Sequence, residues 1–177
     1  SDENKFFLMF KNMNYNHNMF LFPKEVKGYN HEFLFYDYLS KLSLIDYINF
    51  ISENLRELHA KYICYKLLNA IEKLHSIDIC HNKLDISNIM FDDDFNPKII
   101  HFSEANIIND KLLLNKDIYG IAQILAKIIT KGKFNSINFD KNKNIYKIIG
   151  KDQGKKFFIE ESKFWKKLKG LYNINIS

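Results

Sequence analysis

The spacing of apolar positions changes several times along this chain, and each change marks a predicted element. Lys5-Phe6-Phe7-Leu8-Met9-Phe10 is an apolar run that predicts a helix reaching Met13. Asn14 to Asn18 reads as a turn, and Met19 to Phe22 as a short strand stopped by Pro23. Lys27-Gly28-Tyr29-Asn30 is a hairpin-like turn before the aromatic stretch Glu32 to Tyr38, so residues 19–38 read as a small antiparallel piece. Leu44, Ile45, Ile48 and Ile51 then suit a short helix. Glu57 to Ser76 has the clearest helical period, with Ala60, Ile63, Cys64, Leu67, Leu68, Ile71 and Leu74 recurring at steps of three and four. A rod of about 30 Å follows from about 1.5 Å per residue, long enough to run through a core.

Short runs follow. Ile77 to His81 is apolar, Ile89-Met90-Phe91 reads as a strand, residues 92–97 as a turn and Lys98-Ile99-Ile100 as the returning strand. A second helix is expected over Asp117 to Thr130, carrying Ile118, Ile121, Ile124, Leu125 and Ile128. Asn115 or Asp117 would cap it, and Lys131-Gly132-Lys133 would end it. Beyond that, Asn144 to Ile149 suits a short helix. A last helix is expected from Glu160 to Leu171, its acidic start and lysine-rich end matching the helix dipole. The expected class is α+β, mainly α-helical, with small β-hairpins.

Composition narrows the picture. The 177 residues fit one domain, and 46% hydrophobic residues can supply its core. No apolar run reaches the length of a transmembrane helix. The polar start Ser1-Asp2-Glu3-Asn4 does not read as a signal peptide, and an intracellular setting is expected. The charge is +5, from 26 basic and 21 acidic residues. A basic face for nucleic acid or anionic membrane is therefore one alternative. It is disfavoured because Arg56 is the one arginine, and base-edge and bidentate phosphate recognition favour that residue. The abundance of Lys, Asn, Ile, Phe and Tyr resembles the codon bias of AT-rich genomes, as in many protozoan parasites. Cys64 and Cys80 are too few for a disulfide framework and read as buried reduced thiols.

The chemistry-bearing stretch runs from Leu74 to Asp92 and on through Pro97 to Ala105. It contains His81-Asn82-Lys83-Leu84-Asp85-Ile86-Ser87-Asn88, a hairpin signal, and then His101-Phe102-Ser103. In order and spacing this resembles the catalytic loop of eukaryotic protein kinases, H-R-D-L-x-x-x-N, followed by the D-F-G turn. The long helix before it, the aromatic strand and short helix over residues 33–50, and Asp117-Ile118-Tyr119-Gly120 also match that family's order. The resemblance is clear over about residues 14–130. It implies a kinase-like C-lobe over 39–177, preceded by a minimal N-lobe remnant over 1–38.

The departures from the pattern bear on function. Lys83 stands where the family has its catalytic aspartate, and an ammonium has no lone pair with which to accept a substrate proton. Asn82 replaces the arginine that commonly grips an activation-loop phosphate. Asp85 occupies the position of the catalytic-loop lysine. It reads as a substitute base or, more simply, as half of a local ion pair or an exposed charge. His101 replaces the aspartate that holds Mg²⁺, and imidazole is a poor ligand for that hard ion. Asn88 matches the second metal ligand, but one carboxamide alone makes a poor Mg²⁺ site, and a hydrogen bond holding the loop is the preferred reading. His81, Phe102 and Asp117 match architectural residues: the first two would pack together, and the third would be a buried carboxylate fixing the loop backbone.

Residues 104–116 are far shorter than an activation segment with its A-P-E platform, and neither a glycine-rich phosphate loop nor a V-A-I-K lysine occurs. The resemblance thus implies a pseudokinase with no catalytic residue and no cofactor, acting through a protein partner as a scaffold or regulator. Phe33, Phe35, Tyr36 and Tyr38 are candidates for the interface, or for a residual adenine-site wall. ATP–Mg²⁺ binding with serine/threonine kinase activity is the alternative. A thermal-shift response to nucleotide separates the two.

Overall fold

The computed structural model describes residues 19–22, 25–28, 33–37, 39, 42–132, 134–140, 145–150 and 156–160. The helix expected over residues 5–13 lies outside them, as does residue 38. Glu25–Lys27 (β1) and Phe33–Phe35 (β2) pair antiparallel, with Val26 opposite Leu34. A hairpin over this region was expected, but its first strand is not Met19 to Phe22. That segment instead runs beside Ile99: Leu21 N–H donates to the Ile99 carbonyl and Ile99 N–H to the Met19 carbonyl, both at 2.9 Å. An isolated strand leaves its backbone groups unpaired when buried, and the edge at Ile99 satisfies them.

Leu44–Phe50 (α1) starts at Ser43, whose hydroxyl accepts from Asp46 N–H while the Asp46 carboxylate returns to the Ser43 N–H. This reciprocal capping box closes the first turn. Arg56–His75 (α2) is the predicted long helix, shifted by one residue. Its expected inward positions from Ala60 to Leu74 are all buried, and Ala70 joins them. Ile79–Cys80 (β3) pairs with Asn106–Ile107 (β6), and Ile89–Phe91 (β4) with Pro97–Ile99 (β5), both antiparallel. The β4–β5 turn is tied by Asp92, whose Oδ1 accepts the backbone N–H groups of Asp94 and Asn96. Burial opposes ionisation of this carboxyl, but the Asn96 bonds and Lys98 outweigh it and hold it below the usual carboxylate range.

Lys111–Thr130 (α3) begins six residues before its expected start. Asp110 is the cap, accepting the Leu112 N–H at 3.0 Å. Neither Asn115 nor Asp117 caps the helix, and Asp117 is fully buried in its second turn. A carboxylate with long-range partners has no need to serve the local backbone. At the other end Lys131 takes the left-handed conformation (φ 51°) and its N–H returns to Lys127. Together α2, α3 and the β4–β5 hairpin enclose one apolar core, in which Ile63, Leu67, Ile71, Phe91, Ile99, Phe102, Ile121 and Ile128 are buried. Cys64 and Cys80 are buried free thiols, and burial pushes both up.

The expected short helix over Asn144 to Ile149 is instead a strand. Phe134–Asp140 (β7), Ile145–Gly150 (β8) and Lys156–Glu160 (β9) form an antiparallel meander with β8 in the centre. Isoleucine and tyrosine dominate β8, and β-branched and aromatic side chains favour the pleated state. The expected final helix would have begun at Glu160, which closes β9; residues 161–171 lie outside the described residues. The whole is an α+β fold of helices and small antiparallel strand sets, consistent with a truncated kinase-like C-lobe. No helix among the described residues is long and apolar enough to cross a membrane.

Candidate functional site

Residues 81–88 form a loop after β3, pinned from below by α3. Asp117 is the anchor. Its Oδ1 accepts the backbone N–H of Asn82 at 2.8 Å. Its Oδ2 accepts that of His81 at 2.9 Å and lies 2.8 Å from His75 Nε2. A carboxylate can only accept, so the His75 proton sits on Nε2. With no exposure, Asp117 would be costly without these donors. They hold Asn82 in the left-handed conformation (φ 67°), which asparagine tolerates better than most residues.

His81 points inward. Its Nε2 donates to the Ile100 carbonyl at 3.0 Å, and its buried Nδ1 has no hydrogen-bond partner among the described residues. Burial, the largest influence, lowers its affinity for a proton and so favours the neutral imidazole. The ring meets Phe102 edge-on at 5.0 Å between centroids. Phe102 in turn touches Phe22 at 4.7 Å and Phe20 at 5.8 Å. The strand fragment 19–22 therefore reaches the site through two rings that no sequence motif announces.

The charged positions do not gather into one centre. Lys83 points outward, its Nζ 3.4 Å from Glu104 Oε1, with both side chains more than half exposed. Asp85 pairs with Lys127 of α3 and accepts a hydrogen bond from Ser87. Burial opposes its ionisation, but Lys127 and the loop N–H groups outweigh that and hold the carboxyl below its usual range. Lys83 and Asp85 thus do not pair with each other. Asn88 is buried, and its Nδ2 donates to the Lys83 carbonyl at 2.8 Å, closing the loop. His101 is exposed and takes the left-handed turn (φ 66°). Tyr36 is exposed, residues 33–35 are described as backbone, and Tyr38 lies outside the described residues.

This donor set does not fit Mg²⁺, which demands several oxygen ligands in near-octahedral array. The Asn88 amide is turned into the loop, the 101 position offers an imidazole, and the 83 position offers an ammonium that would repel the ion. Among the described residues, no three His, Cys, Asp or Glu side chains converge as a metal site. Sequence reasoning missed Glu104, Lys116, Lys127 and His75. Lys116 Nζ donates to Asn82 Oδ1 at 3.1 Å, and Asn82 Nδ2 to the Glu104 carbonyl at 3.2 Å. His75 carried one usable signal, its place on the inward side of the long helix six residues before His81.

No protein-family model matches the chain. It is similar to the "Probable serine/threonine-protein kinase KIN1 homolog" of Encephalitozoon cuniculi, with 35% identity over 85 residues, 48% of this chain and 15% of that protein. It is also similar to interleukin-1 receptor-associated kinase-like 2 of Bos taurus and of Mus musculus, with 46% identity over 39 residues, 22% of this chain and 6% of each relative. The chain thus spans a small fraction of the length of these relatives, and the matches support a protein kinase-like relationship.

Proposed function

We propose that this chain is a catalytically silent, kinase-like domain that acts by engaging a protein partner. The observation that carries it is Lys83: an ammonium facing Glu104 at 3.4 Å stands where the resemblance calls for the proton-accepting carboxylate. The Asp117 frame that shapes the loop is fully built, while the groups around it offer neither a base nor a Mg²⁺ set. Of the nearby carboxylates, Asp85 is engaged by Lys127 and Glu104 faces Lys83. Residues 1–38 would be the N-lobe remnant and 39–177 the C-lobe.

The test is transfer of labelled γ-phosphate from ATP to generic acceptors with Mg²⁺ or Mn²⁺, together with thermal shift under the same conditions. No transfer and no nucleotide-dependent shift are expected. Transfer that disappears in Asp85→Asn would overturn the proposal. The second reading, a residual ATP-binding serine/threonine kinase, draws on the likeness to proteins named as kinases. Stabilisation by ATP would favour it.

A further inference from the structure

We infer that the first three turns of α3 dock an acidic partner segment that places a carboxylate between two apolar side chains. The inference rests on the interaction reading above and names its surface. The middle of α3 is buried on most sides, yet Leu112 is 66% exposed and Tyr119 58% exposed. Lys116 lies between them, four residues after Leu112 and three before Tyr119, which places all three on one helix face. Leu112 and Tyr119 are separated by about 10.5 Å along the axis. That span suits two apolar anchors flanking one central group.

Charge selects the occupant. The Lys116 ammonium meets the neutral amide oxygen of Asn82 at 3.1 Å and no carboxylate among the described residues. Neighbouring acids are engaged elsewhere: Asp110 caps the Leu112 N–H, Glu104 faces Lys83, and Asp117 is buried against His75 and the loop backbone. The chain's net charge of +5 also favours an acidic partner over a second copy of itself. Two exposed apolar residues around a cation that meets no carboxylate among the described residues match a ligand ordered apolar, acidic, apolar. Docking there reaches the loop directly, since Lys116 holds Asn82 and Asn82 holds the Glu104 carbonyl.

The experiment screens the full chain against a displayed library of short random peptides and measures enriched sequences by fluorescence anisotropy. Enrichment of peptides with acidic residues between apolar ones is expected. Lys116→Glu, Leu112→Ser and Tyr119→Ser should each weaken binding at least about tenfold at unchanged melting temperature. Replacing the peptide's acid by lysine should restore binding to Lys116→Glu. Absence of enrichment, or peptides that bind all three variants equally, would overturn the inference. So would self-association lost in Leu112→Ser, which would make a second copy the occupant. Binding to nucleic acid or anionic vesicles that needs Lys116 but neither apolar residue would overturn it as well. Phosphoryl transfer by the unaltered chain would defeat the silent-kinase proposal and leave the peptide result separately readable.

Discussion

Asp117 holds Asn82 by its backbone: the carboxylate of a buried helix residue accepts the N–H of a loop residue 35 positions earlier at 2.8 Å. The same carboxylate takes the His81 N–H and the His75 ring. One side chain on α3 thus sets the shape of a loop that starts after β3, and it does so from a position with no solvent access.

Asp117→Asn should therefore cost far more than a change of one atom suggests. The new amide would turn an N–H₂ toward groups that are themselves donors, so at least one contact becomes repulsive. A loss of about 3 kcal/mol in unfolding free energy is expected, the scale of a broken buried charged network. Asp110→Ala, which removes the helix cap, should cost about 1 kcal/mol. Urea titration of both variants checks the order; equal losses would contradict the anchoring role of Asp117.

Gly120 sits one turn further along α3, where the helix crosses the loop. A Cβ there would stand 2.7 Å from the Leu84 carbonyl oxygen and 2.8 Å from Leu84 Cβ. One of those atoms is backbone and cannot swing away. Gly120→Ala should destabilise the fold by about 1–3 kcal/mol through overpacking, although alanine is the better helix former. Amide exchange should show the loss of protection centred on residues 83–88. A gain in stability would show that the loop gives way at little cost.

The pH dependence has a definite sign at His81. Burial lowers its proton affinity in the folded state, so the unfolded chain binds the proton more readily. Stability from this group is present above the unfolded value of about 6.5 and falls as pH drops below it. Asp85 and Asp92, held low in the fold, add a separate loss at more acidic pH, as they are protonated. Denaturant midpoints between about pH 7.5 and about pH 5.5, roughly one unit either side of the free imidazole value, should decline as pH falls in the unaltered chain. The decline should flatten in His81→Gln, and an unchanged slope there would assign the effect to another group.

The two charge pairs at the loop should differ in weight. Lys83–Glu104 is mostly exposed and Lys127–Asp85 less so. Swapping the first pair, as Lys83→Glu with Glu104→Lys, should change stability by less than about 0.5 kcal/mol, as exposed ion pairs do. Breaking the second with Lys127→Met should cost about 1 kcal/mol after allowance for solvent screening. A double-mutant cycle with Asp85→Asn measures that coupling. A larger coupling at Lys83–Glu104 than at Lys127–Asp85 would reverse the ranking.

Much of this protein is legible in its sequence. The three-and-four spacing from Ala60 to Leu74 determined α2 and its inward face, because a helix this long needs a continuous apolar stripe. The residue types at 83, 85, 88 and 101 determined which chemical groups the loop carries. Local patterns were weaker where short segments compete: the β8 residues fit a helix on paper, and their pairing with β7 and β9 made them a strand. Tertiary structure alone decided which groups meet. It sent Lys83 to Glu104 and Asp85 to Lys127, brought Phe20 and Phe22 onto Phe102, and gave Asp117 to the loop while Asp110 capped the helix. Those choices depend on contacts between residues far apart in the chain. Spacing along one strand or helix holds no record of them.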